Sequence, residues 1–113
     1  MRLSLVRVLA QSMVVVGLII CGAGLSHAES AAGPLFKAKC AACHGVDGKG
    51  EVPAGKKLGA HDLTSTEVQA HSDVELTEVV AKGRKKMPPY DGKLTKEQIT
   101  ELIEHIRGLG KKL

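Results

Sequence analysis

Apolar residues in this chain recur at helical spacing and nowhere alternate as they would along a half-buried strand. The pattern is clearest near the carboxyl end, where Ile99, Leu102, Ile103, Ile106 and Leu109 fall on one helical face. Thr95, with Gln98 three residues later, forms a capping box that opens this helix, and Gly108 or Gly110 is the expected stop. A second capping box, Ser72 with Glu75, opens a helix in which Leu76, Val79 and Val80 share a face before Gly83 halts it. A short helical turn is expected around Thr64 to Ala70. A first helix is predicted from Gly33 or Pro34 to Cys43, with Pro34 in the turn where its missing amide costs least and Gly45 at the end. Residues 45–60 hold five glycines and a proline and read as an irregular loop. The expectation is an all-α domain of about four short helices joined by long loops, without internal repeats.

Residues 1–28 follow a different rule. Arg2 and Arg7 precede an apolar run from Met13 to Cys21, and Ser26 and Ala28 place small residues ahead of Glu29. The run is short for a membrane span, so the segment reads as a secretory signal peptide cut after Ala28. Two other fates stay open, acylation at Cys21, which bulky Ile20 disfavours, and retention as an amino-terminal anchor. The domain is then 29–113 and periplasmic, with a membrane involved only if the leader is kept or lipidated.

Removing 28 of 113 residues leaves 85, and 16 Lys and Arg less Arg2 and Arg7 leaves 14 against 12 Asp and Glu. A charge of about +2, evenly spread, gives no footprint for nucleic acid. The same 85 residues carry one Phe, one Tyr and no Trp, a thin apolar supply for a small domain. A large apolar cofactor would fill the deficit and couple folding to its own attachment.

Only Cys40 and Cys43 remain after export, and they stand in Cys40-Ala41-Ala42-Cys43-His44. A CxxCH run reads as covalent haem attachment: two thiols three apart on a helix add to the two vinyl groups of one haem, and the adjacent imidazole becomes the proximal iron ligand. A disulfide or thioredoxin-like pair is the competing reading, weakened by the lack of strands. A zinc site would have to recruit two of His61, His71 and His105 at no recognised spacing.

With these residues the chain resembles the class I cytochrome c family, especially its small bacterial periplasmic members, over nearly all of residues 33–109. Beside CAACH, the resemblance rests on Gly33 with Phe36 before the motif, Pro53 after it, Met87-Pro88-Pro89, and the terminal run His105-Ile106-Arg107-Gly108-Leu109. It implies a cytochrome c fold around one covalent haem c, with His44 and Met87 on the iron and the Pro53 carbonyl accepting from the His44 ring. Met87 is the only methionine left after export, and Pro88 bars it from helical geometry. His61, His71 and His105 are its competitors, which would lower the potential. His105 departs from the family, which commonly has an aromatic residue there, and a packing role is the expectation.

The function implied is one-electron transfer between redox proteins, by a carrier and not an enzyme. Lys82, Arg84, Lys85 and Lys86 crowd the approach to Met87, where a basic collar would steer acidic partner surfaces or else be an ordinary solvated loop. The alternatives are a haem sensor or peroxidase-type enzyme, which needs an open sixth position, and an electron-transfer subunit of a larger complex.

Overall fold

Thr95 begins the longest helix among the described residues by exchanging hydrogen bonds with Gln98: its hydroxyl accepts from the Gln98 amide at 3.1 Å, and its own amide donates to Gln98 Oε1 at 2.9 Å. The structure, a computed structural model, describes residues 30–112, and the predicted leader with its cut after Ala28 lies outside them. Among the described residues six helices follow in order: α1 Ala32–Lys39, α2 Ala41–His44, α3 Pro53–Leu58, α4 Thr66–Ala70, α5 Asp73–Lys82 and α6 Lys96–Lys111. Among the described residues there is no strand, only isolated bridges between Arg84 and Met87 and between Asp91 and Leu94.

The apolar stripe of α6 is buried throughout, and with Phe36 of α1 and Val80 of α5 it forms the core. Phe36 and Leu102 are each 1% exposed and lie at its centre. Burying side chains of this size contributes about 1.5–3 kcal/mol apiece, which is why α6 outweighs its own glycines. It runs through both Gly108 and Gly110 to Lys111, past the expected stop. Leu109 between them is buried, and a Cβ at Gly110 would overlap the Gln69 side chain, so the glycine gives that side chain its room.

Helix α1 crosses α6, and His105 packs its ring on Phe36 there, with centroids 4.9 Å apart and the planes tilted by 41°. The imidazole fills the place expected of an aromatic ring.

Two local features depart from the sequence reading. The first predicted helix is two: Cys40, at φ −115° and ψ −34°, ends α1 by donating to Phe36 O and begins α2 by accepting from His44 N at 2.9 Å. The predicted loop 45–60 contains α3, which starts on Pro53 and stops at Gly59 in the left-handed conformation, φ 71°. Proline at the first position and glycine past the last are ordinary helix punctuation, outweighed in the sequence by the density of glycine around them.

Candidate functional site

Helix α2 is one turn long and carries Cys43 and His44, with Cys40 at the joint before it. It is held in place by α3, which lies so close that a Cβ at Gly55 would overlap the carbonyl oxygen of Cys43. Only glycine allows this approach. Cys40, Cys43 and His44 open into a cavity of about 360 Å³, within the range of small-molecule and cofactor sites. Its walls are largely apolar and include Phe36, Leu63, Val80 and Leu102.

Met87 reaches the same cavity from the loop after α5. Arg84 and Met87 exchange backbone hydrogen bonds at 3.0 and 3.1 Å across a tight turn, in which Lys85 takes a left-handed φ of 54°. Gly83, at φ 73° and ψ 170°, occupies a region of backbone space open to little but glycine. Beyond Pro88 and Pro89 the chain is tied down twice more: Tyr90 N donates to Val80 O at 3.1 Å, and the Tyr90 hydroxyl donates to Lys39 O at 3.0 Å. The thioether loop is therefore closed on α5 and on the end of α1. Tyr90 had no signal in the sequence, since its partner is a backbone carbonyl 51 residues away.

His44, which lines the same cavity, donates from Nδ1 to the carbonyl oxygen of His61 at 3.0 Å. This corrects the expectation that Pro53 supplies the acceptor: Pro53 instead begins α3. With Nδ1 donating, the ring's lone pair is on Nε2, the nitrogen left for a metal. Burial pushes the imidazole below its ordinary pKa, against the opposing pull of the His61 carbonyl, which favours the neutral form that metal binding requires.

The thiols fit attachment better than redox exchange. Both cysteines are free, and burial pushes the Cys40 thiol up to about 11, whereas an exchanging dithiol needs a lowered value. Among the described residues, no group of three or more His, Cys, Asp and Glu is placed to hold a metal ion, which removes the zinc reading there. Paired thiols, a neutral imidazole and a thioether around one apolar cavity make a donor set that fits a haem.

The remaining histidines divide. His61 and His71 line the cavity, and His105 does not, being occupied with Phe36. Arg84, Lys85 and Lys86 are exposed and line the cavity, while Lys82, outside the lining, is paired with Glu78 at 2.7 Å. Glu67 and Glu75 contribute to the cavity lining, and the Glu75 carboxyl is lowered chiefly by the Ser72 amide that it caps.

Comparison with known proteins gives a consistent picture. Residues 28–106 match the family described as cytochrome C oxidase, cbb3-type, subunit III. A cytochrome c6 of Leptolyngbya boryana is 32% identical over 78 residues, which cover 68% of this chain and 87% of that protein. A cytochrome c6 of Nostoc sp. (strain PCC 7120 / SAG 25.82 / UTEX 2576) is 34% identical over 74 residues, which cover 66% of this chain and 64% of the relative, a little under two thirds of its length. Among solved structures, the KustC0563 c-type cytochrome superposes with a TM-score of 0.63 at 34% identity, covering 69% of this chain and 95% of its own.

Proposed function

The chain belongs to the class I cytochrome c family, and from that premise we propose that it is an electron-transfer protein, not an enzyme, carrying single electrons through one covalent haem c. When bound, the haem supplies a one-electron iron couple. Cys40 and Cys43 would hold it covalently, each thiol adding across one vinyl group with its sulfur on one carbon and its proton on the other, without net oxidation. His44, through Nε2, and Met87, through its sulfur, would hold the iron. The observation that carries this reading is the convergence of two free thiols, an imidazole and a thioether on one largely apolar cavity.

The protein's residues then act by keeping the iron's surroundings constant. The Met87 loop, tied at Arg84, Val80 and Lys39, holds the sulfur in one place in both oxidation states, so little rearrangement accompanies transfer. Apolar walls keep water away. A visible spectrum with redox titration tests the reading: the expected result is a low-spin spectrum, pigment that stays with the protein in acidified organic solvent, and a ferric far-red sulfur-to-iron band. A colourless protein from a host able to assemble haem c refutes it.

Redox proteins are the partners on both sides. Arg84, Lys85 and Lys86 form the basic part of the cavity mouth and steer acidic partner surfaces toward it. Reduction by such a partner should slow as salt rises, over the range where the Debye length falls from about 30 to about 8 Å. Residues 1–28, read as a secretory leader, support the periplasm as the place of this work. The match to a family described as subunit III of a cbb3-type oxidase favours a second reading, a fixed electron-transfer subunit of a larger complex, and sizing of the native protein separates the two.

A further inference from the structure

We propose that the turn at Asp62–Thr64 is a positioning device for the proximal imidazole, holding the His61 carbonyl against His44 Nδ1 and thereby setting the reduction potential; this rests on the reading of His44 as an axial ligand.

The His61 carbonyl belongs to a loop 17 residues away in sequence from the ring it meets, so its position has to be built. Gly50 makes room for it. A Cβ there would fall 2.7 Å from Ala60 O and 3.3 Å from His61 O, so the chain can lie this close only against glycine. The next residue, Asp62, folds its carboxylate back to accept from Thr64 N at 2.8 Å and from the Thr64 hydroxyl at 2.6 Å. Thr64 is 8% exposed, which limits the water that can compete for its hydroxyl. Leu63 between them is tied in both directions: its amide donates to Gly48 O at 2.7 Å, and its carbonyl accepts from Gln69 Nε2 at 2.7 Å. The Gln69 amide group also donates to Ile106 O at 3.1 Å, which anchors the turn on α6.

Every residue from 62 to 64 is thus fixed by a hydrogen bond outside or across the turn, and the carbonyl just ahead of it is held in place as a result. An acceptor held on Nδ1–H raises the basicity of the opposite nitrogen, which favours the more highly charged oxidised iron. Loosening the turn weakens the acceptor and raises the potential. The Asp62 carboxylate adds a through-space effect of the same sign, which has to be separated from the turn.

Two substitutions in the haem-loaded protein make that separation. Asp62→Ala and Asp62→Asn remove the same charge, but asparagine keeps an oxygen to accept from Thr64. The expected result is a potential for Asp62→Ala above that of Asp62→Asn, equivalent to a shift of roughly two- to tenfold in the ferrous-to-ferric ratio at fixed poise, where tenfold is 59 mV for a one-electron couple. Thr64→Val, which alters no charge, should move the potential in the same direction by less. If Asp62→Ala and Asp62→Asn give equal potentials while only the former melts early, the turn is structural alone and the proposal falls. It also falls if Pro53→Ala shifts the potential and Asp62→Ala does not. Should Asp62→Ala fail to fold, an unchanged potential in Thr64→Val overturns it equally. A colourless wild type would overturn the haem reading itself, whereas a coloured one with equal potentials overturns only the turn's role.

Discussion

Replacing Gly83 with alanine strains the backbone and pushes on the Met87 loop at the same time. At φ 73° and ψ 170°, an L-residue costs about 1–3 kcal/mol from backbone conformation alone. The added Cβ would fall 2.6 Å from Met87 O, 2.8 Å from Pro89 N and 3.0 Å from Pro88 C, all backbone atoms that no side-chain rotation can move aside. Relieving such overlap by shifting a packed segment costs about 1–3 kcal/mol more, for a total of about 2–6 kcal/mol. Gly92 is the control: it also has a positive φ, 77°, but a Cβ there meets nothing within 4 Å, so Gly92→Ala pays only the backbone strain, about 1–2 kcal/mol. Denaturant unfolding of both haem-loaded variants, with the far-red band recorded alongside, measures the difference. Gly83→Ala should be the less stable and should lose or weaken that band, because the segment it displaces carries the sulfur. Equal stability losses in the two variants, with the band intact in both, would refute the close packing of Gly83 under the Met87 loop.

The other expectations are narrower. His105 is held below its ordinary pKa of 6.5, first by burial and then by the Lys112 charge, so the native state resists its protonation. Stability should be complete above about pH 6.5 and fall as the pH drops below it, and His105→Phe should flatten that fall in denaturation midpoints taken between about pH 7.5 and pH 5. Arg107→Ala removes bonds to Gln69 O, His71 O and the Asp73 carboxylate from a side chain that is 24% exposed, and should cost about 1.5–3 kcal/mol, with hydrogen exchange accelerating across 69–73. Met87→His should abolish the far-red band and lower the potential in a redox titration.

What the sequence made legible follows from how local each interaction is. The capping boxes at Ser72 and Thr95 are exchanges between residues three apart, and both helices begin where those residues predicted. The CAACH run is equally local. Helix α3 was hidden because its start and stop, Pro53 and Gly59, stand in a stretch where glycine is everywhere. The joint at Cys40 is a backbone angle in an otherwise helical run and carries no side-chain mark. The acceptor for His44 was beyond reach for a stronger reason: it is a main-chain oxygen, delivered by contacts from Gly48, Gly50, Thr64 and Gln69 that only the fold brings together. Lys82, by contrast, was readable, since Glu78 stands four residues before it at the spacing of a helical ion pair.

The sulfur-bearing loop hangs from α5 and the tail of α1, whereas the carbonyl that grips the imidazole hangs from α6. The span between the His44 imidazole and the Met87 sulfur is therefore set by contacts between helices, among them that of Val80 with the α6 stripe. Warming should let that contact breathe before the helices themselves melt, so that the colour of the sulfur bond fades at a lower temperature than the helical signal.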